Sequence, residues 1–496
     1  MAINHHCFIE FDSKRTLKDQ VREYLVKAIL NGIFPAEQAL PSCRKLSTQM
    51  KVSRNTVSLV YESLLDDGYL ISKPRSGYYL SEKYASPDAN LESSHSGAES
   101  AKNALCWEDK IKIQTGHYQR IVKPSQWSCY RYPFIYGQPS IRDFPLTQWR
   151  ESTRKVVADS HDHSWLCDKV DKDVEMLVEQ IRTRILPQRG IHASQDEILI
   201  TVGSQNALYM VSQLLMDKDS KVGVENPGYK EAYNIFQLAG AQLHPHEVDG
   251  DGIRLNEHSS ECDSFYVTPS HQAPTGVTMS EERRCELLAL ADKHDAFIIE
   301  DDYDSESNFE LYPKPALKAK DTSNRVIYVG SFSKILAPGL RIGYIVASEE
   351  LIYELRTLRR LMYRHPPSRI QMELAYFIAQ GYYDSYLRRY RENSRQRWDL
   401  MSNAVQRYLP ECTRLANKEL TNSLWLSTPN NMNSHHLASR ASQHGVLIET
   451  GSSHFIGDAS YVDASEPDHY FRMGFHAIDK ELIEAGIMNL SHALHG

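Results

Sequence analysis

Apolar residues recur every four positions from Thr16 to Asn31 (Leu17, Val21, Leu25, Ile29), which predicts an amphipathic helix that stops at Gly32. Pro41 and Ser42 open a second, short helix through Met50. After a tight turn at Lys51 and Val52, Ser53 can cap a third, whose Val57, Val60, Leu64 and Leu65 face inward until Gly68. YLISKPRSGYYL then reads as two short strands around Lys73, Pro74, Arg75, Ser76 and Gly77. From Ser81 to about Asn103 almost nothing is apolar, so this stretch cannot bury enough surface to order itself and predicts a linker. Beyond about Tyr130, β-branched runs (EILIT, KVGVE, SFYVTP, AFIIED, RVIYVG, RIGYIVA) alternate with helical patterns. That alternation predicts an α/β fold with a mostly parallel sheet covered on both faces. After about Ser368 the pattern is mainly helical, as suits a smaller C-terminal α+β lobe.

The expected division is a head at 1–81, a linker at 82–129 and a body at 130–496. A chain of 496 residues is too long for a lone DNA-binding module. The net charge of −8 gives no hint of nucleic acid, but residues 1–81 carry +3 and the remainder −11, which predicts two different jobs. No apolar run is long enough for a membrane helix, and the N-terminus lacks the features of a signal peptide, so a cytoplasmic chain is expected. Its 8 cysteines form no CxxC pair. The histidine neighbours His5–His6, His161/His163 and His435–His436 lack metal-site spacing, so no metal is expected.

The three helices and hairpin form the pattern of a winged helix-turn-helix, whose recognition helix offers its first turn to the major groove. There Arg54 and Asn55 can reach base edges, and Ser53 and Thr56 supply hydroxyls for phosphate. Arg44 on the preceding helix, and Lys73 and Arg75 at the hairpin tip, add phosphate or minor-groove contacts. The segment PSCRKLSTQMKVSRNTVSLVYESLLDDGYLISKPRSGYYL resembles the GntR-type winged helix over about residues 14–81. This implies a double-stranded DNA operator as partner.

Four features of the body bear on a cofactor. In SFSKILAPGLRIGY, Lys334 follows a strand end, with Ser331, Ser333 and Arg341 near enough in sequence to hold a phosphate dianion. In FIIEDDYDSE an apolar strand delivers Asp301, Asp302 and Tyr303 to its C-terminal end. One carboxylate there can keep a pyridine nitrogen protonated; paired acids could equally hold Mg²⁺, a reading weakened by the lack of a nucleotide motif. In TVGSQNALYM, Gly203, Ser204 and Gln205 start a helix whose N–H groups suit phosphate. In ENPGYKEAY, Tyr229 on a Pro-Gly turn could stack on a planar ring.

Taken in order, these motifs with TPSHQAPTG and FRMGF resemble the fold-type I aminotransferases, and in particular the MocR/GabR subfamily, over about residues 130–490. The resemblance implies pyridoxal 5′-phosphate held as an internal aldimine on Lys334. Asp301 would meet the pyridine nitrogen and Tyr303 the ring oxygen, with Tyr229 stacked near the ring. Ser204, Gln205, Ser331, Ser333 and Arg341 would surround the phosphate, and Arg472 would take an effector's α-carboxylate. It further implies a domain-swapped homodimer that senses a small amine or amino acid; an active aminotransferase and a sensor of the cofactor itself are the alternatives. Two departures stand out. Ala273 replaces the Asn or aromatic residue usual before the PTG motif, which removes a ring contact. Glu231 stands where related members carry an Arg for an effector carboxylate. If it points inward it favours an effector with an amine or no second acid; if outward, it is a surface charge.

Overall fold

The computed structural model describes residues 15–495 apart from 31, 36–37, 75, 86–104, 106, 119, 122, 138, 159–163, 305–313, 414–420, 422 and 457–465. The chain folds as two compact units, Met1–Gln114 and Thr115–Gly496.

The first unit has helices Leu17–Leu30, Cys43–Met50 and Arg54–Asp66 and an antiparallel hairpin, β1 (Leu70–Lys73) and β2 (Gly77–Leu80). Ser42 and Ser53 cap the second and third helices by accepting from the Lys45 and Thr56 amides at 3.3 and 3.0 Å. Between these helices Lys51 turns the chain with a φ of 54°, in the left-handed region. Val21, Leu25, Ile29, Val57, Val60 and Leu64 are fully or almost fully buried, each contributing about 1.5–3 kcal/mol. Leu65, expected to face inward, is only half-buried. One residue past Leu64 lies about 100° round the helix, off the core stripe. Tyr61 occupies that stripe instead, and its hydroxyl donates to the Pro41 carbonyl at 2.7 Å. Arg75 lies outside the described residues.

In the second unit a short parallel pair, β3 (Tyr132–Pro133) with β13 (Val446–Leu447), lies beside a large sheet and a small one. The large sheet contains β4 (Ile198–Thr201), β5 (Lys221–Asn226), β6 (Gln242–Asp249), β7 (Gly252–Ile253), β8 (Ser264–Val267), β9 (Phe297–Asp302), β10 (Val326–Ser331) and β11 (Gly343–Val346). Its order is β4-β11-β10-β9-β8-β5-β6-β7. Strands β6, β5, β8, β9 and β10 run parallel, while β11 is antiparallel to both neighbours. The short loop after β10 has no room for the helical crossover that a parallel return needs. Alternation along the strands divides the core. Leu199 and Ile299 pack on helices Ser204–Leu215, Lys230–Leu238 and Glu349–Tyr363, and Ile298 packs on the opposite face with helix Glu281–Lys293. The small antiparallel sheet has the order β12 (Ser423–Ser427), β15 (Tyr470–Gly474), β14 (Glu449–Thr450). No helix of the described residues is long and apolar enough to cross a membrane.

Candidate functional site

The parallel strands end together, and their C-terminal edge opens on a cavity of about 320 Å³, within the size range of small-ligand sites. β9 carries Asp301 and then Tyr303 to its rim, and β10 carries Ser331, Ser333 and Lys334. Helix Ser204–Leu215 presents Ser204, while Tyr229 and Glu231 come from the start of helix Lys230–Leu238. Arg341, Ala273 and, from β15, Arg472 complete the sequence-predicted lining. Thus residues from six separated segments meet, and Glu231 lines the cavity. Gln205 does not join them: its side chain lies with Asn206, Tyr209 and Tyr363 in a neighbouring depression. One step along the helix after Ser204 turns it away.

Period-two alternation sends the paired acids to opposite faces. Asp302 accepts from Arg189 at 2.7 Å and from the Tyr328 hydroxyl at 2.8 Å. Burial raises its pKa, but Arg189 outweighs that and holds it low. Among the described residues Asp301 accepts only from the Tyr266 hydroxyl, at 2.9 Å, and its second oxygen, like one of Asp302, is buried with no hydrogen-bond partner. Burial lifts its pKa to about 7 against that hydrogen bond. Burial likewise pushes the Lys334 amine well below the usual lysine range; Asp304 opposes this, and Lys123 and Arg472 reinforce it. The amine stands 3.3 Å from the centre of the Tyr136 ring and 5.0 Å from that of Tyr303. Tyr303 accepts from the Tyr136 hydroxyl at 3.2 Å and donates to the His271 carbonyl at 2.9 Å.

The phosphate-suited end has its own logic. Gly203 has a φ of 78°, and a Cβ there would stand 3.2 Å from the Arg341 guanidinium carbon, so only glycine both turns the chain and lets that cation approach. The Ser333 hydroxyl is buried without a partner. A desolvated lysine amine, an unpaired carboxylate oxygen, an unpaired hydroxyl and a cation beside a helix N-terminus fit the donor set that pyridoxal phosphate requires.

Several lining groups carry no local motif. Lys123 and Ile121, from the stretch expected to be linker, line the cavity with Tyr136 and Gly137. Arg472 lies 3.9 Å from the centre of the Tyr136 ring and donates to Glu449 at 2.7 Å. Burial alone would raise Glu449, but Arg472 and the hydrogen bond with His454 bring it to about 2. His454 bridges Glu449 at 2.8 Å and the Gly228 carbonyl at 3.0 Å. The buried Glu225 carboxylate accepts from the Thr268 hydroxyl at 2.6 Å and from Gln272 at 3.2 Å, tying the ENPGY and TPSHQ motifs together. Of these groups, Glu225, Thr268, Gln272 and Arg472 lie in motifs legible in the sequence, whereas Ile121, Lys123, Glu449 and His454 do not.

On the first unit, Arg44, Arg54, Asn55 and Lys73 are exposed. The hydroxyls of Ser53 and Thr56 lie 2.8 Å apart and are engaged in the helix cap. Among the described residues no cluster of His, Cys, Asp and Glu could hold a metal ion, and His5, His6, His161 and His163 lie outside those residues.

A helix-turn-helix with a wing, joined to an α/β body with a lysine-bearing cavity, defines a regulator of the DNA-binding head and aminotransferase-fold body class. Residues 17–80 match the model of bacterial regulatory proteins of the gntR family, and residues 144–432 that of aminotransferase class I and II. The chain is 34% identical to the HTH-type transcriptional regulator TauR of Rhodobacter capsulatus over 98% of each chain. It is 29% identical to the probable rhizopine catabolism regulatory protein MocR of Rhizobium meliloti, over 98% of this chain and 95% of that one. The α-aminoadipate aminotransferase LysN of Thermus thermophilus, solved with N-(5′-phosphopyridoxyl)-L-leucine, superposes with a TM-score of 0.68 at 25% identity, over 79% of this chain and 99% of that one. The chain belongs to the MocR-type transcriptional regulators of the GntR family, whose heads bind operator DNA and whose bodies have the fold of pyridoxal-phosphate-dependent aminotransferases.

Proposed function

We propose that the second unit binds pyridoxal 5′-phosphate at Lys334 and senses a small primary amine, and that this changes how the first unit engages its operator. The observation that carries the reading is the buried, unpartnered Asp301 oxygen in the same cavity as a desolvated Lys334 amine. Asp301 would meet the ring nitrogen, Tyr303 the ring oxygen and Tyr229 the ring face, while Ser204, Ser331, Ser333 and Arg341 would hold the phosphate. When bound, the cofactor supplies an aldehyde carbon at which one primary amine replaces another with no net gain or loss of protons. Burial favours the unprotonated form of the Lys334 amine, the form able to bond. Arg472, held by Glu449, and the tyrosines would orient what enters. With Ala273 in place of a side chain that reaches the ring, and with Arg472 tied to Glu449, binding is favoured over turnover. Two copies of the chain would act on paired half-sites, a homodimer giving two weakly basic heads one combined affinity.

The test is borohydride trapping of the cofactor on the intact protein. The wild type is expected to retain reduced cofactor on the peptide that contains Lys334, and Lys334→Ala to retain none. Equal retention by Lys334→Ala would overturn the assignment.

A further inference from the structure

The proposed function does not use Lys123, whose ammonium lines the cavity although its residue as a whole is exposed. A Cβ on Gly137 would stand 3.3 Å from the Lys123 Nζ and 3.3 Å from the Lys334 Nζ. The two amines therefore flank one glycine, whose φ of 75° and missing side chain keep the space beside them clear. An ammonium has three N–H donors, and the Tyr136 carbonyl takes one of those of Lys123, at 2.5 Å. No ion pair engages it among the described residues.

Arg472 is differently placed. Glu449 holds its Nη2 at 2.7 Å, with both side chains buried, so the charge of that guanidinium is already matched. The Arg472 Nε is buried without a partner among the described residues, so it keeps an N–H to offer, but Glu449 already balances its charge. Glu231, also on the lining, adds a negative charge at the same cavity. With Arg341 assigned to the phosphate, the lining cation that no carboxylate pairs with among the described residues is Lys123.

Resting on the proposed function, we infer that Lys123 binds the single acid group of a short effector whose amine takes the place of the Lys334 amine. The class selected is a compact amino acid with one small oxyanion and roughly one to three carbons between amine and acid, because both nitrogens border the same glycine. Glu231 disfavours a second acid by like-charge repulsion. Burial pushes the Lys123 pKa down, with Glu449 opposing and Arg472 adding to the shift; an incoming anion gains more beside such a poorly hydrated cation than beside one in open water.

The full-length, cofactor-loaded protein is titrated with 3-aminopropanoate and with butylamine, a near isostere that lacks the acid, and binding is followed by the change in cofactor absorbance. The wild type is expected to prefer the amino acid. In Lys123→Ala that preference falls by about fivefold or more, the scale of one charge-assisted hydrogen bond. Lys123→Gln, which keeps a donor for the Tyr136 carbonyl, shows the same fall, and Lys123→Arg retains most of the preference. A fall smaller than about fivefold in both neutral variants, or no wild-type preference for the acid, overturns the inference while the proposed function stands. A wild type that responds to neither amine overturns the proposed function, and this inference with it.

Discussion

In the cofactor-free protein Asp301 is a buried carboxylic acid with a pKa of about 7 against an ordinary value of 3.8, and Asp301→Asn isolates its effect. Because the folded value is the higher one, the unfolded chain gives up this proton first. The folded state then binds more protons than the unfolded state, and stability falls as pH rises between the two values. From about pH 5 to about pH 7 each unit costs about 1.4 kcal/mol, or about 3 kcal/mol in total, and little more is lost above that. Asparagine has no proton to lose. Its amide oxygen keeps the Tyr266 hydrogen bond, and its NH₂ replaces the unpartnered oxygen at a pH-independent cost of about 1–3 kcal/mol. The assay is urea unfolding of both cofactor-free proteins at about pH 5 and about pH 8, followed by tryptophan fluorescence. Of the 6 tryptophans none lies in the winged helix and 5 lie in the second unit, so the signal is dominated by the second unit. Wild type is expected to lose about 3 kcal/mol more than the variant between those conditions. Matching pH dependence, within about 1 kcal/mol, would refute the argument that burial keeps this carboxylate from ionising.

Arg54→Ala, on the exposed first turn of the third helix, is expected to cost about 1–3 kcal/mol in binding to operator DNA selected with the wild-type protein. Fluorescence anisotropy measures this, with unaltered cofactor absorbance as the control; unaltered DNA binding would reject that recognition surface. Gly330→Ala would place a Cβ 2.3 Å from the Tyr344 ring, and overpacking of this kind costs about 1–3 kcal/mol or more. The thermal midpoint of the body should fall by several degrees, and an unchanged midpoint would contradict the packing of β10 on β11.

The cofactor end of the site was legible because its residues lie in short motifs at strand ends, where topology alone brings them together. Lys334, Asp301 and Ser331 need only the parallel register of neighbouring strands. The choice of Asp301 over Asp302 came from the family resemblance alone, since both fit the strand-end pattern and the partners across each face separate them. Gln205 lines a neighbouring depression that shares Arg341 with the cavity, because a helix start turns about 100° per residue and adjacent positions face different surroundings. Lys123, Glu449 and His454 left no signal. They come from segments far apart in the chain, and their chemistry arises only when tertiary packing sets them against Gly137, Arg472 and Gly228. In the winged helix, period and caps sufficed for all three helices; Leu17, at the start of the first, is exposed although it continues the apolar stripe, and Tyr61 and Leu65 exchanged roles.

Gly228 is held twice by one histidine: its amide donates to the His454 carbonyl at 2.9 Å, and its carbonyl lies 3.0 Å from the ring Nδ1. Two residues on, the Ile456 amide donates to the Asn226 side chain at 3.1 Å. The turn bearing Tyr229 and the segment facing Arg472 are thus one mechanical piece. Transplanting ligand preference between relatives therefore calls for exchanging residues 226–231 and 449–456 together. A swap at position 472 alone would break the Glu449 pairing and the contact with the Tyr136 ring while leaving the old selectivity half built.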